Sequence, residues 1–384
     1  MKVLIAIDSF KGSITSKKAS EAIASGIYDV YPEAEINRIP LGDGGEGTVE
    51  ALIEASNGRW VKKEVQGPLT EKVIASYGIS GDGKTAMIEV AEACGLPLVP
   101  TERRNPLKTT TYGVGELIVD AMEKGCRKFI IGLGGSSTND AGVGMLQALG
   151  FQFLDEQLLE VTSGGEALKK IEHIRTDNVH PLLNKCQFQV ACDVNNHLYG
   201  ENGAAHVYGP QKGASQEMVE QLDEGLRHFA DIVQDVLEID IHAIEGAGAA
   251  GGLGAAFAGF LQASLESGIE LVLEFTAMET YVKEVDIVIT GEGMLDGQTS
   301  MGKAPLGIAA LAKKHGVPVI ALAGGVNHEN FQLNEQGMTA CFSILHAPLS
   351  LDEAMDFDTT YRNLEFTTNQ LFRLIEGMQL RKNR

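Results

Sequence analysis

The chain has 384 residues, 44% hydrophobic and 22% charged, which are the proportions of a globular protein and long enough that two domains are expected. Its 52 acidic against 31 basic residues give a formal charge of −21, which argues against nucleic acid or an anionic membrane surface as partner. Five cysteines without CxxC spacing read as free thiols in a reducing cytoplasm, and the opening MKVLIAID, too short for a secretory or membrane-spanning run, reads as a first strand.

In chain order, Val3 to Ile7 is a continuous apolar strand. Asp8-Ser9-Phe10-Lys11-Gly12-Ser13 follows, then a helix from Thr15 or Ser16 that sets Ala19, Ala22, Ile23, Ile27 and Val30 on one face. Residues 39–48, IPLGDGGEGT, hold Asp43, Gly44, Gly45 and Glu46 and open a second amphipathic helix, VEALIEA. Two strand, loop and helix units in a row predict an α/β layout with ligand groups at strand ends. From Val61 to Val90 the segments VKKEV, KVIASYGI and TAMIEVA alternate, as antiparallel strands do.

A helical segment, YGVGELIVDAMEKG, leads into the buried strand FIIGL and then Gly134, Gly135, Ser136, Ser137, Thr138, Asn139 and Asp140. A loop of this composition has two readings. It is an anion cradle, built from glycine backbone, small donors and the start of the next helix, or a connection whose Ser, Thr and Asp merely cap that helix. Further on come the strand FQVACDV with Asp193, the long helix MVEQLDEGLRHFADIVQDVLE and the glycine-dense EGAGAAGGLGAAFAGF. The alternating α/β order then returns with DIVITGEG, a helix from about Leu306 to His315, VPVIALAGG, TACFSILHAP and a last helix over roughly Tyr361 to Met378. First and last segments share a parallel α/β style that the middle lacks, so the expectation is a discontinuous domain, 1–68 with 285–384, and an inserted domain, 69–284.

Two motifs match better in letters than in context. Gly78–Thr85 has the Walker A spacing, but its flanks both alternate, so a β-hairpin with Lys84 in a solvated turn is expected. Gly246–Gly251 fits G-x-G-x-x-G, yet the preceding IDIHAIE is weakly strand-like; a glycine-rich segment packed against another backbone is expected over nicotinamide binding.

Several blocks occur collinearly: DSFKGS from Asp8, GDGGEGT from Gly42, GLGGSSTND from Gly132, ACDVNN from Ala191, YGPQKGA from Tyr208, GAGAAGGLG from Gly246 and TGEGMLDGQT from Thr290. From Met1 to about Gly325 the chain closely resembles the type 1 glycerate kinase family. It departs from the pattern at His197 in Asn196-His197-Leu198, at Met294 where Arg is frequent, and at Glu245 where Pro often precedes the glycine run. The resemblance implies two α/β domains, one flavodoxin/Rossmann-like and discontinuous and one inserted and mixed, with the active site in the cleft between them. It further implies ATP-dependent phosphorylation of D-glycerate in organic acid catabolism, giving 2-phosphoglycerate or, as in others of the wider group, 3-phosphoglycerate.

Phosphoryl transfer needs a metal, donors for the γ-phosphoryl oxygens and a group that aligns the attacking hydroxyl. Asp193, at the end of an apolar strand, is the favoured base, with Asp296 second, and Lys11 is expected on the glycerate carboxylate or the transferring phosphate. Asp8, Ser9, Gly44, Gly45, the loop Gly134–Thr138, Lys212 and Lys303 are expected around substrate and phosphate. Asp43, Glu46, Asp140 and Glu292 are the carboxylate candidates for Mg²⁺. A cytoplasmic monomer or homodimer acting on small molecules is expected, with a nicotinamide-linked oxidoreductase on a small hydroxy acid as the alternative and a non-catalytic metabolite-binding regulator third.

Overall fold

The computed structural model describes residues 1–42, 45, 47–295, 304–327 and 331–382. Its strands in chain order are β1 (Lys2–Ile5), β2 (Glu35–Arg38), β3 (Arg59–Gln66), β4 (Lys72–Ile79), β5 (Thr85–Glu89), β6 (Lys128–Gly132), β7 (Gln152–Leu154), β8 (His173–Arg175), β9 (Gln187–Ala191), β10 (Ser264–Glu266), β11 (Ile287–Leu295), β12 (Val319–Val326) and β13 (Ala340–Ser343). They form a five-stranded sheet, β13-β12-β11-β1-β2, a six-stranded sheet, β10-β9-β6-β5-β4-β3, and the small pair β7-β8. The chain divides into two compact units, Met1–Asp43 with Ile269–Arg384, and Gly44–Gly268. The first division comes before the Gly67-Pro68 expected from sequence because β3 pairs with β4, and the helix Thr48–Ala55 packs on β4 and β5.

In the first unit every strand pairing is parallel. Counted within the unit the order is 2-1-3-4-5, the flavodoxin-like arrangement, and it reverses between β1 and β11. Val3, Leu4 and Ile5 are buried, as a strand covered on both faces requires. The helix Ser16–Tyr28 starts on Thr15, whose side chain accepts the Lys18 amide, and buries Ala19, Ala22, Ile23 and Ile27. Gly26 lets the C-terminal helix Phe357–Lys382 close onto it, since a Cβ there would lie 2.3 Å from the Glu365 carbonyl oxygen.

In the second unit β5, β6, β9 and β10 are parallel, while β3, β4 and β5 form the expected antiparallel run. The hairpin β4–β5 contains Gly78–Thr85; Ser80 donates to Asp82 and Lys84 is exposed, so no helix leaves this loop and the Walker geometry is missing. Gly246–Gly251 follows turns and not a strand. Its end packs backbone on backbone: a Cβ on Gly251 would sit 2.0 Å from the Thr138 carbonyl oxygen, and Gly251 has φ +72°. Among the described residues no helix is long and apolar enough to cross a membrane.

Candidate active site

In open parallel sheets ligands bind outside the carboxyl ends of strands, above all where the strand order reverses. In the first unit that point lies between β1 and β11. The Asp8 amide donates to the Gly291 carbonyl at 3.0 Å, which continues the β1–β11 register and brings Asp8 beside Glu292. Both carboxylates are buried, at 3% and 7% exposure. Asp8 Oδ1 also accepts from the Ser9 amide. The loop beyond is a closed turn in which Phe10 and Ile14 pair and are buried, Ser16 Oγ donates to the Ile7 carbonyl, and Lys11 is exposed at the tip. Burying its neighbours therefore fixes the backbone from which Lys11 projects. Met294, where an Arg was expected from the resemblance, is 56% exposed, and its thioether lies against Gly325.

In the second unit the carboxyl ends of β5, β6 and β9 carry Glu89, the loop after Gly132, and Asp193. That loop is exposed only at Gly134 and Gly135 and is buried from Ser136 to Asp140. Gly45 approaches Gly134, its Cα lying 3.9 Å from where a Gly134 Cβ would be. Ser137 spends both its amide and its hydroxyl on the Cys94 carbonyl, and its own carbonyl accepts from Thr109 Oγ1. The amides of Gly134, Gly135 and Ser136 donate to no acceptor among the described residues.

Asp140 is engaged locally. Its oxygens accept from the Thr111 amide and hydroxyl and from the amides of Gly142 and Gly144, which ties Thr111 to the start of the helix Val143–Ala148. Burial pushes its pKa up and these bonds oppose the rise. The helix is six residues long with its first amides already used, so it offers no dipole end to a ligand. The two readings of the loop thus divide along it: Asp140 is engaged locally, whereas Gly134 to Ser136 keep exposed or unspent donors. Thr111 and Thr109, which hold Asp140 and Ser137 from 29 and 28 residues away, were not singled out from sequence. The run Thr109-Thr110-Thr111 before a helix was the available signal, but it reads equally as an ordinary N-cap.

Asp193 Oδ1 accepts from the amide of Gly268, the first residue of the helix Gly268–Phe275, at 3.0 Å. Lys212 is buried at 3% exposure; its Nζ donates to the Thr138 carbonyl at 2.7 Å and to Ser136 Oγ at 3.1 Å. Burial pulls its pKa down to about 8. Asp43, Gly44, Glu46, Asp296 and Lys303 lie outside the described residues. Among the described residues no group of three His, Cys, Asp or Glu side chains is gathered as a metal cage.

Residues 3–376 match the model of the glycerate kinase family. The chain belongs to the glycerate kinase family. It is thereby an ATP-dependent kinase, and nothing found supports the oxidoreductase alternative. It is 49% identical over 353 residues to the glycerate kinase of Halalkalibacterium halodurans, covering 92% of this chain and 93% of that one. It is 47% identical over 364 residues to the glycerate 2-kinase of Escherichia coli K12, covering 95% of both. A crystal structure from Salmonella typhimurium LT2, provisionally named glycerate kinase 2, superposes with a TM-score of 0.92 at 42% identity and 99% coverage of each chain.

Proposed function

We propose that this member of the family transfers the γ-phosphoryl group of ATP to the 2-hydroxyl of D-glycerate in the cytoplasm, yielding 2-phosphoglycerate and ADP. The observation that carries this reading is the similarity along 95% of the chain to the Escherichia coli glycerate 2-kinase. Five free cysteines support a reducing compartment.

In this reading Asp193 is the general base. Its bond from Gly268 leaves it oriented, and a carboxylate at a strand end needs little rearrangement to accept the hydroxyl proton. Lys11, on its braced turn, takes the glycerate carboxylate or the transferring phosphate. The amides of Gly134, Gly135 and Ser136 meet phosphoryl oxygens, where fixed donors stabilise charge that grows during transfer.

For Mg²⁺ one or two carboxylates suffice when nucleotide phosphates complete the shell. Asp8 and Glu292, adjacent in the β1–β11 register at the reversal of strand order, are the two carboxylates that would hold it. The metal bound there would neutralise phosphate charge. Asp8 is accordingly read as a metal ligand and not as a phosphate contact, because a buried carboxylate repels phosphate.

Incubation with ATP, Mg²⁺ and D-glycerate tests the reading. ADP should form only when all three are present; no ADP above the glycerate-free control would contradict it.

A further inference from the structure

Of the hydroxyls in the loop after β6, Ser137 is spent on Cys94 and Thr138 is fully enclosed, which leaves Ser136 beside a cation. Ser136 is 7% exposed and Lys212 Nζ lies 3.1 Å from its Oγ. An ammonium has three hydrogens and no lone pair, so toward Lys212 the serine oxygen can only accept. Its single hydrogen must then point elsewhere, and among the described residues Ser136 Oγ donates to nothing. Lys212 is itself held by its bond to the Thr138 carbonyl, and the Ser136 backbone is held by its bridge to Gly95. Among the described residues no carboxylate comes within 4.0 Å of Lys212 Nζ. The charge is thus buried against neutral acceptors, in surroundings where it polarises its neighbours strongly.

We propose that Lys212 is a positioning residue that acts through Ser136: by occupying the serine oxygen it fixes the Ser136 hydroxyl as a donor to an anionic substrate oxygen held at Gly134–Ser136. The inference rests on reading this loop as the phosphoryl site, and it departs from a direct lysine–phosphate contact.

The state of Lys212 then sets a pH limit. Burial lowers its pKa to about 8, while the Asp140 carboxylate acts in the opposite sense. Cys94 is itself pushed up to about 12 by burial and is uncharged near neutral pH, and the carbonyl and Cβ of Arg104 pack against Gly213, next to Lys212. When Lys212 loses its proton the amine gains a lone pair, the Lys212–Ser136 bond can reverse, and the serine hydrogen is withdrawn from the substrate. An anion bound at the loop favours the ammonium, so binding near pH 8 should take up protons.

The test uses the full chain and the variants Lys212→Met, Lys212→Arg, Ser136→Ala and the double Lys212→Met/Ser136→Ala. Steady-state rates are measured from pH 6.5 to 9.5, and ATP titrations are run by calorimetry at pH 8 in buffers of different ionisation enthalpy. Lys212→Met and Ser136→Ala should each lower kcat by about 10²-fold, the scale of one lost transition-state donor, with the double no worse than the poorer single. Wild type should lose kcat/KM above pH 8, Ser136→Ala should lack that limb, and Lys212→Arg should move it beyond the range, because guanidinium keeps its proton. ATP binding should take up protons in wild type and not in Lys212→Met.

Multiplicative losses in the double, a Ser136→Ala rate within twofold of wild type, or equal proton uptake in wild type and Lys212→Met would each overturn the proposal. If wild type forms no ADP, the kinase reading fails, and the calorimetry still decides the role of Lys212.

Discussion

Asp120 and Lys212 are buried charges of one unit, met in opposite ways. Asp120, on the helix Tyr112–Glu123, receives the Tyr77 hydroxyl at 2.7 Å, Lys124 Nζ at 2.8 Å and Lys63 Nζ at 3.1 Å. Burial alone would raise its pKa, but the bonds from Lys124, Tyr77 and Lys63 outweigh that and hold it below the ordinary value. Lys212 is met by a hydroxyl and a carbonyl, and its pKa falls instead. A carboxylate answered by two cations is complete as a piece of the fold. A buried ammonium whose hydrogen bonds go to neutral atoms costs stability, which the Asp140 carboxylate nearby offsets only in part. In the proposed reading the contrast separates a residue that holds the molecule from one that serves the reaction.

If the distinction is real, the two classes should fail differently. The largest effect is expected at Asp193. Asp193→Asn keeps an oxygen for the Gly268 amide and loses basicity, so kcat should fall by about 10²–10⁴-fold with Tm unchanged; a near-normal kcat would remove Asp193 from the chemistry. Gly251→Ala should be next, costing about 3 kcal/mol of stability by denaturant unfolding, because the added carbon meets the Thr138 carbonyl at a positive φ. A smaller loss, about 1–2 kcal/mol, is expected for Asp120→Asn, with kcat intact.

The pH dependence of stability should also carry both signs. Asp120 contributes fully above the ordinary aspartate value of 3.8, and its contribution is lost as pH falls below it. The burial cost of Lys212 is fully present below pH 8 and relieved as pH rises from about 8 to its ordinary 10.5, so Lys212→Met should flatten that rise in urea melts. The smallest effect is at Lys84: Lys84→Ala should leave ATP affinity unchanged, and a large loss would revive the Walker reading of Gly78–Thr85.

Much of the fold was legible because hydrophobic period is local. The β1 run, the helix Ser16–Tyr28, the β4–β5 hairpin and the returning strands β11 to β13 all follow their patterns. The early unit division was not legible, since it depends on the helix Thr48–Ala55 choosing β4 and β5 as its floor. Among the candidate residues, Lys11 and Lys212 read alike, each a lysine in a glycine-flanked loop, yet one is exposed on a braced turn and the other is buried. Asp140 read as a metal candidate because the bonds from Thr111 that use it up come from 29 residues away. Long-range packing decided each of these, and spacing carries no record of it.

The most direct test of the central claim is the identity of the product. Wild type incubated with ATP, Mg²⁺ and D-glycerate should convert ATP to ADP in step with one new phosphomonoester, its phosphorus split into a doublet by the single proton on C2 in the proton-coupled phosphorus NMR spectrum. Inorganic phosphate as the only new phosphorus species, or a triplet from the two protons on C3, would contradict the account.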